Sequence, residues 1–142
     1  IILIASYIQT GTLSLDHLLI SLSPGMLIGA INLANNIRDL DGDKEGGRKT
    51  LAILLGRPRA INLLAGIFAA AFAWTALLIA LQILTPWALL TLLAVPKAVQ
   101  AVRNFRGKTF AYEMMGAMKS TAQLNTVFGL LLTVGLVLSI FV

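Results

Sequence analysis

The sequence predicts an all-α integral membrane helical bundle, about four full transmembrane helices plus the end of a fifth. Composition is the first reason. Of 142 residues, 58% are hydrophobic and 12% charged, against roughly 25% charged in an ordinary soluble domain. A soluble domain needs a polar shell, and this chain has too little for one. The second reason is local: apolar stretches near 13–37, 60–84, 86–102 and 121–142 lie close to the ~20 residues that cross ~30 Å of hydrocarbon as helix. The third is the absence of period-two alternation, which argues against a β-barrel.

Taken in order, Ile1 to Gln9 is an apolar run that reads as the end of a fifth helix, cut by the start of the chain. Without a charged segment before it, the run is not expected to be a signal peptide. Pro24 in the span 13–37 and Pro96 in the span 86–102 predict kinks, because neighbouring helices can satisfy the carbonyls that proline frees. Gly25, Gly29, Gly66, Gly129 and Gly135 predict close approach between helices. Tyr7 and Trp87 fall near outer span ends, as an aromatic belt requires, and Trp74 does not. With no cysteine, disulfides, thiol chemistry and Cys-ligated metals are excluded.

The net charge of +5 needs no nucleic acid. Arg38, Lys44, Arg48, Lys49, Arg57 and Arg59 lie between the first two full spans, and Arg103, Arg106, Lys108 and Lys119 between the last two. The connections around Gln9–His17 and Gln82–Trp87 carry neither Lys nor Arg. By the positive-inside rule the two basic loops are cytoplasmic and the neutral ones outside, with Lys97 left to snorkel. The expectation is a multi-pass protein of the plasma membrane.

Most chemistry-capable residues lie in one loop, Asn35–Arg59. At helical pitch Asn35, Asp39 and Asp43 share a face, while Asp41 points away. Two carboxylates one turn apart, with an amide above them, suit Mg²⁺, which takes one or two carboxylates and completes its shell with water and substrate phosphate. Arg48 and Lys49 supply cations for phosphate oxygens, and Gly42, Gly46 and Gly47 free the backbone to fold over a ligand. Spacing alone leaves a solvated loop of mixed charge as the alternative. An EF-hand begun at Asp39 fails at Lys44 and Thr50, and a P-loop begun at Gly42 fails at Arg48 and Lys49.

The run NNIRDLDGDKEGGRKTLAILLGR, from Asn35 to Arg57, resembles the second aspartate-rich motif of the UbiA-type prenyltransferases. Within that superfamily it is most similar to the menaquinone-pathway branch that prenylates 1,4-dihydroxy-2-naphthoate. Gln9-Thr10-Gly11 and Met118-Lys119-Ser120-Thr121-Ala122-Gln123 add to the likeness. The resemblance implies the second half of a nine-helix bundle, with residues 1–142 forming the C-terminal part of a single transmembrane domain. It implies Mg²⁺-dependent transfer of a polyprenyl group from an allylic diphosphate to an aromatic acid. Asp39 and Asp43 become the metal ligands, and Asn35, Arg38, Arg48 and Lys49 the diphosphate-binding residues. No further catalytic residue is implied. Lys97 and Lys119, at cytoplasmic helix ends, are candidates for the acceptor's carboxylate, with snorkelling as their alternative role. Tyr112 and Glu113 are weaker candidates to cap the cavity, and His17 belongs to the opposite side.

The first aspartate-rich motif of that family, N-D-x-x-D-x-x-x-D, is absent from the 142 residues. The implied partners are therefore a polyprenyl diphosphate, the acceptor, the lipid bilayer and an N-terminal half, without which the chain is expected to be inactive. A transporter fragment, or a structural fragment with a surface cation-binding loop, is the competing class. Transport pathways place ionisable groups near the bilayer midplane, and these spans are nearly free of them. The charge pattern makes one direct prediction. A reporter fused after Val142 is expected outside the cytoplasm, and a cytoplasmic signal would mean that a span has been miscounted.

Overall fold

Residues 2–141 are described by a computed structural model. Helix α1 is Ile2–Thr10, α2 Leu15–Arg38, α3 Leu40–Glu45, α4 Leu51–Leu55 and α5 Arg57–Ala80. A 3₁₀ segment, Pro86–Ala94, runs directly into α6, Val95–Phe105, and a short 3₁₀ turn, Ala111–Met114, into α7, Met115–Leu138. Among the described residues there is no strand. Among the described residues three helical segments are, by length and composition, long and apolar enough to cross a membrane: Leu15–Arg38, Arg57–Ala80 and Ala111–Leu138. Ile1 and Val142, which belong to the two outermost expected helices, lie outside the described residues.

The boundaries have local causes. Ser14 caps α2 by accepting the His17 amide at 3.2 Å, satisfying one of the orphan donors of the first turn. Arg38 closes α2 where the helix dipole favours a cation. Thr50 caps α4 through the Ile53 amide at 3.3 Å, and Gly56, at φ 76°, makes the turn into α5 that a side chain would resist.

The expected helix over 86–102 takes a different form. Its first nine residues wind as 3₁₀ and only Val95–Phe105 is α-helical. At ~2.0 Å per 3₁₀ residue and ~1.5 Å per α residue, Pro86–Phe105 is about 34 Å long, enough to cross the hydrocarbon. Side chains three apart eclipse in this winding, so Ala88, Thr91 and Ala94 form one buried row. Against it lies α7, so close that a Cβ on Gly135 would stand 2.7 Å from the Trp87 carbonyl oxygen. Of the five glycines expected to bring helices together, Gly135 alone does so. The other four meet nothing within 4 Å. Pro96 also departs from expectation: it occupies the first turn of α6, where its missing N–H leaves no bond unmade, and so begins a helix instead of kinking one. Pro24 does lie inside α2, which continues through it.

The core joins α2, α5, the 86–105 rod and α7 through Leu27, Leu64, Phe105, Leu124 and Phe128, all essentially buried. Phe72 meets Phe128 edge-on at 5.5 Å. Polar groups inside the bundle are paired, as a medium without water demands. Thr75 donates to the Ser23 hydroxyl at 2.9 Å, and Trp74, the aromatic outside the belt, donates its indole N–H to the Leu19 carbonyl at 2.9 Å. At the far end the Ser6 hydroxyl lies 2.7 Å from His17 Nδ1, tying α1 to α2. Outward-facing Leu93, Leu130 and Val137 are exposed, as suits a lipid-facing wall.

Both basic loops lie at one end of the bundle: Arg38–Asp43 share a cleft with Phe110 and Ala111, and Arg57–Asn62 share another with Arg106–Thr109. The Gly135 contact sets a stability test. Gly135→Ala forces the Trp87 backbone aside and is expected to cost about 1–3 kcal/mol, read as a lowered Tm in detergent. Gly129→Ala, in open space on the same helix, is expected to leave Tm unchanged or slightly raised.

Candidate metal and diphosphate site

The site forms where α2 ends. Asp39 takes φ −91° and ψ 8° as the residue closing α2, and α3 restarts at Leu40. The ladder barely breaks: the Asp39 amide bonds the Asn35 carbonyl at 2.9 Å and the Asp43 amide bonds the Asp39 carbonyl at 2.8 Å. This change of course brings Arg38, Asp39, Asp41, Gly42 and Asp43 into one cleft of about 410 Å³, closed on its other side by Phe110 and Ala111.

Each of the three aspartates is held by an arginine. Arg38 grips Asp39 with both arms, Nε to Oδ1 at 2.7 Å and Nη2 to Oδ2 at 2.6 Å. That bidentate bond holds the Asp39 carboxyl below the usual carboxylate range, against the opposing effect of partial burial; the charges of Arg38 and Arg48 assist. Arg48 reaches Asp43 at 3.1 Å, pairing an arginine side chain 73% exposed with a carboxylate only 12% exposed. Arg57 reaches Asp41 at 2.9 Å and also donates to the Ile37 carbonyl at 3.3 Å.

Asp41 is where the helical count fails. It was expected to point away from the site, yet it lines the same cleft as Asp39 and Asp43. The 100° per residue that would separate it from Asp39 holds only along one unbroken helix, and Asp39 is itself the junction, with non-helical ψ, between α2 and α3. Arg57 was placed in the sequence as a topogenic cation, and nothing local links it to Asp41 sixteen residues earlier. Phe110 and Ala111 come from the other basic loop and carried no signal either.

The remaining candidates are dispersed. Asn35 lies one turn before the cleft, half-buried, and contributes its backbone carbonyl. Lys49 and Lys119 are exposed and make no ion pair among the described residues. Lys97 donates to Gln123 Oε1 at 3.0 Å, joining α6 to α7. Nearby Asn104 reaches the Ser120 hydroxyl at 3.5 Å. Glu113 accepts the Thr109 and Phe110 amides at 3.2 and 3.1 Å, folding the second loop, and Tyr112 stacks on Phe110 at 5.6 Å. His17 is at the opposite end with Ser6.

The cleft's donors are hard carboxylate oxygens, which fit Mg²⁺ and not a soft metal. Among the described residues no three His, Cys, Asp or Glu side chains converge on one point. An ion here would thus have few ligands from this chain and would need phosphate, water or further protein groups.

Comparison with known proteins matches residues 1–112 to the UbiA prenyltransferase family. The chain belongs to the UbiA prenyltransferase family. Its similarity to curated members extends past that match. The chain is 49% identical over 140 residues to 1,4-dihydroxy-2-naphthoate octaprenyltransferase of Bacillus subtilis, covering 99% of this chain and 45% of that protein. It is 29% identical over 133 residues to the Escherichia coli protein of the same name, covering 94% and 43% respectively. To UbiA prenyltransferase domain-containing protein 1 of Danio rerio it is 32% identical over 141 residues, covering 97% and 39%. The chain thus spans less than half the length of these relatives. No solved structure gives a significant match. Within the family, this chain is a helical membrane member in which Asp39, Asp41 and Asp43 gather at one end of the bundle, with Asp16 at the other.

Proposed function

We propose that this chain contributes one metal and diphosphate site to a prenyltransferase acting in menaquinone synthesis. The enzyme transfers a polyprenyl group from an allylic diphosphate to 1,4-dihydroxy-2-naphthoate. The observation that carries this reading is the Asp39–Asp43 cleft, flanked by Arg38 and Arg48, in a chain 49% identical to a relative of that name.

In this reading Asp39 and Asp43 hold Mg²⁺, and Arg38, Arg48, Lys49 and Asn35 attend the donor's diphosphate. The arginine–aspartate pairs describe the resting site, with its carboxylates neutralised. When the donor enters, Arg38 and Arg48 exchange carboxylate oxygens for phosphate oxygens, which accept the same forked geometry. Bound Mg²⁺ supplies positive charge that stabilises the diphosphate as the allylic C–O bond ionises. The fixed guanidinium groups act in the same direction, and more strongly where water is excluded. The acceptor's electron-rich ring carbon that bears the carboxylate then bonds the allylic cation; the bond from that carbon to the carboxyl breaks, CO₂ leaves, and its electron pair restores aromaticity.

Lys97 is the acceptor's anchor in this scheme. Its hydrogen-bond partner Gln123 is neutral, so the ammonium's charge is left for a carboxylate. Lys119, on the adjacent helix and exposed, is the second candidate. The basic end is cytoplasmic, in the plasma membrane.

Two experiments test the proposal. In the full-length protein, Asp39→Asn and Asp43→Asn are each expected to cut turnover roughly 100-fold or more, as loss of a transition-state electrostatic partner does. Asp41→Asn, which gives up an ion pair whose carboxylate is 64% exposed, is expected to leave the Mg²⁺ half-saturation near normal. His17→Ala is the control. Near-normal rates for the Asp39 and Asp43 variants at limiting Mg²⁺ would reduce the cleft to a solvated loop. In the second experiment, purified residues 1–142 alone are expected to give no prenylated product, because the family's other aspartate-rich motif is not among them. Mg²⁺-dependent turnover by this chain by itself would overturn the two-motif mechanism.

A further inference from the structure

A second concavity lies away from the aspartates, between α5 and α6. It is an apolar groove of about 340 Å³, walled by Phe68 and Phe72 on α5 and by Val95, Val99 and Val102 on α6, with Arg103 and Arg106 at one end. Residues 95, 99, 102 and 106 follow helical spacing and share a face, whereas Lys97 and Asn104 lie on the opposite side of α6, toward α7. The groove therefore turns its back on the polar seam that serves the proposed acceptor site. Val95 and Val99 are 37% and 44% exposed, so the groove opens outward.

Arg103 and Arg106 differ from the arginines of the aspartate cleft. Arg38, Arg48 and Arg57 each hold a carboxylate, while neither Arg103 nor Arg106 has an acidic partner among the described residues. Both are exposed. Arg106 also lines a second cleft at the basic end, with Asn62, Lys108 and Thr109. An apolar channel in the membrane-spanning wall thus leads into a cationic, hydrogen-bonding pocket at the membrane surface, the two sharing one arginine.

We propose that this groove binds an anionic phospholipid of the surrounding membrane, with one acyl chain along Phe68, Phe72 and Val99 and its phosphate against Arg103 and Arg106. The chemistry separates this ligand from the prenyl donor. A diphosphate that needs Mg²⁺ needs carboxylates, and the groove's mouth has none. A single phosphate is matched by unpaired guanidinium groups alone. The basic end, where positive-inside topology places the cytoplasmic leaflet, is also where anionic headgroups meet cationic side chains.

The test uses the full-length protein, delipidated in neutral detergent, with native mass spectrometry reading bound phosphatidylglycerol against phosphatidylcholine at equal concentration. The wild type is expected to retain phosphatidylglycerol preferentially. The double variant R103Q/R106Q is expected to lose about tenfold or more of that preference, and R103K/R106K to keep most of it. Ala69→Trp places an indole in the groove from an exposed position and is expected to displace the lipid with both arginines intact. Unchanged gel-filtration and thermal profiles keep each comparison valid. Absence of any preference overturns the proposal, as it would if another helix of the longer protein covered the groove. So does an Ala69→Trp variant that binds normally, since attraction would then need only surface charge. Displacement of the lipid by geranyl diphosphate without Mg²⁺ also overturns it, because the groove would then be a donor site. None of these readouts depends on turnover, so they stand apart from the fate of the enzymatic reading.

Discussion

Hydrocarbon offers no hydrogen bonds, and that constraint organises this molecule. Every backbone amide that crosses the membrane must find its carbonyl within the chain, so the spanning segments are helical throughout. The same rule reaches the few polar side chains inside: Ser23 with Thr75, Trp74 with Leu19, Lys97 with Gln123. Among the described residues no buried side-chain polar atom lacks a partner. Charge is driven to the ends. Three aspartates collect in one cleft because the loop that bears them cannot enter the lipid and has a helix end to fold against.

What the chain makes of that end depends on local pairing. A cluster of carboxylates repels itself, and in water-poor surroundings the repulsion grows. Arg38, Arg48 and Arg57 answer this one for one. Arg57 does more, since its second bond to the Ile37 carbonyl fastens the start of α5 to the end of α2. The aspartate loop is thereby anchored to two spanning helices.

Much of this was legible in the residues. Hydropathy and the distribution of Lys and Arg located the spans and set both basic loops at one end. The run from Asn35 to Arg57 carried the family likeness and the position of the cleft. What escaped has physical reasons. A uniformly apolar stretch such as 86–94 has no polar face, so nothing in it distinguishes a repeat of 3.0 residues from one of 3.6. The placement of Asp41 turned on a single residue, Asp39, leaving helical geometry. Its pairing with Arg57 depends on α4 and Gly56 returning the chain to α2, a tertiary event. Of five glycines only Gly135 meets a neighbouring backbone, because close approach needs a partner surface and not merely a missing side chain.

The 3₁₀ winding of Pro86–Ala94 also fixes an angle. A 3₁₀ turn advances about 120° per residue and an α turn about 100°. Rewinding these nine residues as α-helix would rotate everything beyond them by about 180° and draw it back by about 4–5 Å. Lys97, two residues into α6 beyond Val95, would swing from the α7 seam toward the α5 groove. The winding of this segment therefore acts on a residue beyond its end: it determines which side of the rod carries the ammonium.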